Sequence, residues 1–135
     1  MSDRISKIKT EEGFRSSPYC CSEGKQTVGY GFNLEAIKMP EEVADHWLRI
    51  IVDDITSQLS VYNWFLSLNY DRATVIIDMA YQMGVNGVLN FKRMINALEN
   101  GNYDLAAAEM LLSKYAEQTP ARAKRNSDAI RTGSL

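Results

Sequence analysis

The stretch EEGFRSSPYCCSEGKQTVGYGF, residues 11–32, decides the fold of the N-terminal part of the chain. A first helix is predicted to run to Glu11 or Glu12, and Gly13 is suited to end it. The next segment, RSSPYC, is predicted to be a loop because Pro18 prevents the helix from continuing. An acidic helix end therefore leads through a short connection into a glycine-rich segment.

The second half of the stretch, CSEGKQTVGYGF, predicts a β-hairpin. Ser22-Glu23-Gly24 is typical of the turn, and residues 26–30 have the composition of a strand. Gly29 and Gly31 indicate a close approach of the backbone to another element or to a ligand.

The rest of the chain has helical periodicity. The longest pattern, MPEEVADHWLRIIVDDITSQL, has Pro40 in its first turn and apolar residues at helical spacing. Residues 73–83 are apolar nearly all round, which predicts a buried central helix. Two amphipathic helices are predicted over residues 88–98 and 104–112, and a last one starts at Thr119-Pro120, with Thr as the cap. The predicted fold class is α+β, mainly α, with one small β-hairpin near the N-terminus.

Length and composition fit one globular domain or two small lobes, since the chain has 135 residues, 45% hydrophobic and 24% charged. A formal net charge of −2 argues against a dedicated nucleic-acid binder. Residues 114–131 hold five basic and two acidic side chains, which suits either an anionic polymer or a solvated helix face. With no signal peptide and no run that spans a bilayer, the sequence predicts a protein kept in a reducing cytoplasm.

The only two cysteines, Cys20 and Cys21, are adjacent in the chain. A reducing compartment favours free thiols, and a disulfide between neighbours strains the intervening peptide. The alternatives for each are therefore a packing or surface residue and a catalytic thiol.

Glu12, Cys21 and Thr27 form the pattern E-x8-C-x5-T within EGFRSSPYCCSEGKQTVGYG. This pattern resembles the phage-type lysozymes, the T4 lysozyme-like muramidases of glycoside hydrolase family 24, whose signature is a helix-end Glu, a hairpin Asp or Cys, and a Thr before G-x-G. The resemblance continues in the same order at AYQMGVNGVLNFKRM and KYAEQTPARAKRNSDAIRTG, and covers about three quarters of the chain.

The resemblance implies a two-lobed fold within a single lysozyme domain. Residues 13–39 would form the small β-containing lobe and residues 40–59 the connecting helix. Residues 60–135, together with the helix at residues 1–12, would form the helical lobe. The short segment from Leu34 to Met39 implies a reduced N-terminal lobe and a more open upper cleft wall.

Glycoside hydrolysis needs a proton donor at the leaving oxygen and a group that supplies water or a nucleophile to the anomeric carbon. The resemblance gives the first role to Glu12, because the G-F-R that follows matches the family's E-G-x-R, and leaves Glu11 exposed. Cys21 stands where the family usually has Asp. Two mechanisms stay open: attack by the Cys21 thiolate with retention, or a water positioned by Cys21 and Thr27 with inversion.

The resemblance also places substrate-binding residues along the chain. Tyr81 aligns with an aromatic that contacts sugar rings, and Arg122 aligns with an arginine that pairs with the catalytic Glu. Asp78, a lone carboxylate in an apolar helix, is expected to pair with Arg122 or another cleft group. Phe32 replaces a histidine common in the family after G-x-G. Three further positions align with substrate contacts but differ in residue type: Asn33, Met94 and Glu109.

The leading functional hypothesis is a muramidase that cleaves the β-1,4 bond between N-acetylmuramic acid and N-acetylglucosamine. A phage endolysin would act as a monomer on peptidoglycan once a holin opens the inner membrane, moving from the host cytoplasm to the cell wall. No metal, cofactor, nucleic acid or membrane insertion is expected. One alternative is a Cys-dependent peptidase or amidase, for which His46 is the only histidine available. The other is a non-catalytic peptidoglycan-binding relative.

Overall fold

A computed structural model describes residues 2–135, with side chains from Asp3 onward. The backbone contacts divide the chain into two compact units, the first ending at Ala44 and the second spanning Asp45–Leu135. The predicted grouping of the first helix with the helical lobe stays a prediction.

The first unit holds one helix and a three-stranded antiparallel sheet of order β1-β2-β3. Its elements are α1 (Ser2–Glu12), β1 (Arg15–Cys20), β2 (Gln26–Gly29) and β3 (Phe32–Asn33). The predicted helix end and the hairpin turn are confirmed, whereas β3 adds a short strand that the sequence did not indicate.

The prediction of a loop for RSSPYC was wrong, because these residues form β1. Tyr19 and Cys20 pair with Thr27 and Gln26, but the register shifts between Arg15 and Tyr19. The irregularity includes Pro18, which has no N–H to donate to a ladder. Proline therefore interrupts the register without preventing the strand.

The second unit is entirely helical in its regular structure. The division between units falls inside α2 (Glu41–Leu59), so this helix contributes to both. The remaining elements are α3 (Asn63–Leu66), α4 (Tyr70–Met83), α5 (Val85–Leu89), α6 (Lys92–Glu99), α7 (Tyr103–Leu111), α8 (Lys114–Gln118) and α9 (Pro120–Thr132).

Two predictions for these helices need correction. Residues 88–98 do not form one helix, because Phe91 has a ψ of 62° and starts α6 from a non-helical conformation. The break lets the half-buried Phe91 ring pack against the core. Thr119 precedes Pro120 as expected, but its hydroxyl makes no capping bond to α9 and donates instead to the Tyr115 carbonyl at 3.2 Å.

The core lies where α4, α6, α7 and α9 meet, and its largest fully buried side chains include Leu59, Ile76, Met79 and Ile130. The buried central helix predicted over residues 73–83 is confirmed by α4. The mainly helical α+β fold is confirmed as well. None of the helices in the described part of the chain combines the length and apolar character needed to cross a membrane.

Candidate active site

Glu12 is the last residue of α1. The helix ends through Gly13, whose N–H donates to the Lys9 carbonyl at 2.9 Å and whose φ is +69°. The Glu12 side chain leans against Gly31, where an added Cβ would lie 3.0 Å from the Glu12 carboxyl carbon and would collide with Oε2. The G-x-G segment therefore gives the Glu12 carboxylate a place beside the sheet that only glycine leaves open.

Glu11, the neighbouring carboxylate, has a different environment. Its Oε1 accepts a hydrogen bond from Lys7 Nζ at 2.6 Å, and both side chains are well exposed. The two acids thus differ in their contacts. Glu11 forms an ion pair with Lys7 along the helix surface, and Glu12 contacts Gly31. The assignment of Glu12 as the site residue stays a prediction.

Cys21 begins the tight turn that joins β1 to β2. Its carbonyl accepts the Gly24 N–H at 2.9 Å, and its own N–H donates to the Lys25 carbonyl at 2.9 Å. Gly24 has a φ of +76°, which a side chain would strain. The turn is therefore fixed by its own backbone hydrogen bonds, and Cys21 occupies a defined position at its start.

The thiol of Cys21 has a lowered pKa. Hydrogen bonds from the backbone amides of Lys25 and then Glu23 are the main causes, with a smaller contribution from the Thr27 hydroxyl, and they outweigh partial desolvation and the Glu23 carboxylate. Donors directed at sulfur stabilise the thiolate over the thiol. Cys20 is exposed, and its sulfur accepts a hydrogen bond from Gln26 Nε2 at 3.3 Å. Both cysteines are free.

Thr27 is buried, with 4% of its surface exposed. Its hydroxyl donates to the Lys25 carbonyl at 2.9 Å, the same oxygen that accepts the Cys21 N–H. One carbonyl thus connects Cys21 and Thr27. Asn33 is the cross-strand partner of Thr27, and its Oδ1 accepts the Glu35 N–H at 3.0 Å.

In the second unit, Arg122 and Asp78 form a two-pronged ion pair. Arg122 Nε and Nη2 donate to the two oxygens of Asp78 at 3.0 and 2.5 Å. Asn126 Nδ2 donates to Asp78 at 2.8 Å and also lies 2.8 Å from the Tyr115 hydroxyl. The expected pairing of Asp78 with Arg122 is confirmed, while the pairing of Arg122 with Glu12 stays a prediction.

These contacts set the ionisation of the group. Partial burial favours the neutral form of Asp78, but hydrogen bonds from Arg122 and Asn126 and the nearby positive charges outweigh it and lower the pKa of the carboxyl. The hydrogen bond to Asp78 raises the pKa of Arg122. Burial raises the pKa of Tyr115. Asp78 and Arg122 are therefore both charged at neutral pH. The neutral side chains of Asn126 and Tyr115 support the pair.

An apolar trough of about 590 Å³ is lined by Asp78, Arg122 and Tyr81 among others. Tyr81 is 51% exposed, so its ring has surface to offer to a ligand. The structure thus brings Tyr81 and Arg122 to one surface feature within the second unit.

Met94 and Glu109 line a separate, shallow depression of about 260 Å³. Met94 is 1% exposed and belongs to the core, so its side chain has almost no surface available to a sugar. Glu109 is half-buried. Substrate contact at these two positions stays a prediction, and the burial of Met94 weighs against its side chain.

Sequence reasoning missed Asn126 and Tyr115, which support the Asp78–Arg122 pair. Asn126 is four residues after Arg122, one helical turn along α9, and that spacing is the signal that would have found it. Within residues 2–135, no group of three or more His, Cys, Asp or Glu side chains is placed to hold a metal ion.

The first unit thus combines a helix-end Glu packed against Gly31 with a thiol in the β1–β2 turn and a Thr in β2. Together with the similarity to known proteins, these groups support a lysozyme-like glycosidase. The profile of the phage lysozyme family matches residues 9–127, and the chain belongs to that family.

The chain is similar to the probable T4-type lysozymes 1 and 2 of Dictyostelium discoideum, with 28% and 24% identity over alignments that cover 95% of this chain and 93% of each relative. It is also 28% identical to the pre-baseplate central spike protein Gp5 of Enterobacteria phage T4, of which the alignment covers 27%.

The alignments to the two amoebal relatives span 158 positions, while 95% of this 135-residue chain is about 128 residues. The difference, 158 minus 128, means that about 30 alignment positions have no counterpart in this chain. The chain is therefore shorter than these relatives within the matched region.

Proposed function

We propose that this protein is a muramidase that hydrolyses the β-1,4 bond between N-acetylmuramic acid and N-acetylglucosamine in bacterial peptidoglycan. One observation carries the proposal: the Glu12 carboxylate packs against Gly31, which lies between β2 and β3 of the same small sheet whose β1–β2 turn holds Cys21 and whose strand β2 holds Thr27. A proton donor and a second reactive group thus belong to one local structure, as glycoside hydrolysis requires.

In this mechanism Glu12 protonates the leaving glycosidic oxygen. Cys21, whose lowered pKa favours the thiolate, acts on the opposite side of the sugar. The thiolate either attacks the anomeric carbon, giving a covalent glycosyl-enzyme and retention, or accepts a proton from a water that attacks, giving inversion. Thr27 keeps Cys21 in place through the shared Lys25 carbonyl.

Further substrate contacts are proposed for residues of the second unit. The exposed Tyr81 ring suits contact with a sugar, and the Arg122 guanidinium suits the carboxylates carried by peptidoglycan. Asn33 and Glu109 are proposed as polar contacts, with Met94 marking the location through its backbone.

The biological role proposed is host lysis by a phage endolysin. The enzyme would stay in the host cytoplasm until a holin opens the inner membrane and would then act, as a monomer, on the cell wall. Basic side chains of α9 suit an anionic polymer, although Asp128 pairs with both Lys124 and Arg131 at 2.7–2.9 Å.

The chemical nature of the products tests the proposal. Purified peptidoglycan is incubated with the protein, and new reducing sugar ends and new amino groups are measured in parallel. We expect reducing ends to accumulate without amino groups. New amino groups alone would show a peptidase or amidase, and neither product would show a non-catalytic binding protein.

The anomeric configuration of the first products separates the two routes for Cys21. NMR of products from the wild type, Cys21→Asp and Cys21→Ser gives the configuration directly. Retention in the wild type that changes to inversion with Asp establishes sulfur as the nucleophile. Inversion in the wild type and in Cys21→Asp establishes the route through an attacking water.

A further inference from the structure

Three aromatic side chains of the first unit form a cluster next to Glu12. The ring centroids of Phe14 and Tyr30 are 5.5 Å apart, and those of Tyr30 and Phe32 are 6.4 Å apart in an edge-to-face arrangement. Both separations lie in the range in which aromatic pairs attract each other. The cluster is therefore a defined packing arrangement.

Glycine determines where the Phe32 ring lies. Gly29 has a φ of +69°, and a Cβ added there would come within 2.8 Å of two ring carbons of Phe32. The ring therefore rests directly against the Gly29 backbone. Gly31 gives the Glu12 carboxylate the same kind of seat. Because one residue separates the two glycines, their Cα atoms are at most about 7 Å apart.

The three rings differ in how much of their surface is free. Tyr30 is half-buried, with Lys9 Nζ 5.4 Å from its ring centroid and the other two rings against it. Phe32 is 47% exposed although it is a large apolar side chain seated on the backbone. Phe14 is 65% exposed and packs against Tyr30. Tyr30 thus supports the cluster, and Phe32, the residue that follows Gly31, offers an open surface.

We propose that Phe32 is a sugar-stacking residue, forming a subsite for an N-acetylated amino-sugar ring next to the bond that Glu12 protonates. This inference rests on the proposed function and names a binding residue for it. The C–H face of a pyranose ring is apolar, so burying it against an aromatic side chain is favourable.

The test is binding and turnover by Phe32→Leu and Phe32→Tyr. The probe is a soluble β-1,4-linked trimer of N-acetylglucosamine, titrated into the uniformly labelled protein by NMR. We expect Phe32→Leu to raise the Kd about threefold to tenfold and Phe32→Tyr to bind within about twofold of the wild type. Leu keeps an apolar side chain of similar size, so the comparison isolates the aromatic ring.

On peptidoglycan, loss of stacking that is equal in the ground and transition states raises KM and leaves kcat unchanged. Trp47→Leu is the matched control, since it also removes a half-exposed aromatic ring, one that is 51% exposed, and we expect it to change neither constant. Thermal melting of each variant confirms that it is folded.

Equal Kd and KM for the wild type and a folded Phe32→Leu would overturn the proposal, as would equal losses in Phe32→Leu and Phe32→Tyr. Its failure differs from failure of the proposed function. If the wild type releases reducing ends and Phe32→Leu matches it, only the subsite is wrong. If the wild type releases none, the muramidase proposal itself fails.

Discussion

The two units of this protein are stabilised in different ways. In the second unit, all of the core side chains come from one helical assembly, between Ile55 and Ile130. In the first unit, Thr27 is the only buried residue among those that the structure describes, and eight large apolar side chains are at least 43% exposed. The first unit nevertheless contains the proposed catalytic groups.

This difference indicates that the geometry of the candidate site depends on the backbone more than on a packed core. Gly31 seats Glu12, the turn ending at Gly24 places Cys21, and one carbonyl of Lys25 connects Cys21 with Thr27. These are local interactions over a short stretch of chain. Substitutions of buried core residues in the second unit should therefore change stability, and substitutions at these glycines should change activity.

The largest effect is expected for Met79→Ala in α4. Met79 is 0% exposed, so truncation leaves a cavity and lowers the free energy of unfolding by about 2–5 kcal/mol. Urea denaturation measures the loss. Leu112→Ala, at a 79% exposed position, serves as control and should change stability by less than about 0.5 kcal/mol. If the folded fraction of Met79→Ala lost its specific activity, the site would depend on the core of the second unit, contrary to the comparison above.

Gly31→Ala should reduce activity by about 10–100-fold, because the new Cβ displaces the Glu12 carboxylate. It also costs about 1–2 kcal/mol of stability, since φ is +72°. Gly101→Ala has the same strain, with a φ of +67°, but nothing lies within 4 Å of its Cβ. Comparable activity loss in both variants would show that the Glu12 contact is irrelevant.

Asp78→Asn should lower stability by about 1–2 kcal/mol at pH 7, because the half-exposed pair with Arg122 is lost. The folded-state pKa of Asp78 is lowered, so its contribution is present above the unfolded pKa of about 3.9 and is lost as the pH falls through the folded value. Urea denaturation from pH 7 to pH 3 should show the two proteins converging. A constant difference would contradict the assignment.

The smallest effect is expected in the pH dependence of turnover. Because the pKa of the Cys21 thiol is lowered, kcat/KM should rise with thiolate formation at a pH below about 8.5, the usual pKa of a cysteine. Cys20→Ser is the control and should keep the profile of the wild type. Cys21→Ser should lose this limb, and its persistence would show that another group titrates.

Much of the fold could be predicted from local patterns, and the misses have physical reasons. The helix end at Glu12 and the turn around Gly24 follow from local backbone preferences. Strand β1 does not, because Pro18 gives the opposite local signal and only pairing with β2 makes the segment extended. The break at Phe91 depends on where that ring packs, which periodicity does not encode.

The candidate site shows the same division. Glu12, Cys21 and Thr27 could be proposed from the sequence because their spacing, within one short segment of chain, resembles a family signature. Gly31 did indicate a close approach of the backbone, but its partner, Glu12, could not be read from the sequence. The Lys25 carbonyl is a backbone acceptor, and the residue type at that position does not indicate its role. Tyr115 supports Asp78 only through Asn126. Asp78 and Asn126 are 48 residues apart in the sequence, so their contact has no local signal.

The central claim is that Glu12, and not its neighbour, is the proton donor of a glycosidase. The most direct test measures the rate of reducing-end release by Glu12→Gln and Glu11→Gln, with the melting temperature of each. We expect the rate to fall about 10²–10⁴-fold for Glu12→Gln and to be mostly retained by Glu11→Gln, and we expect both variants to be folded. Equal rates, or the reverse order, would contradict it.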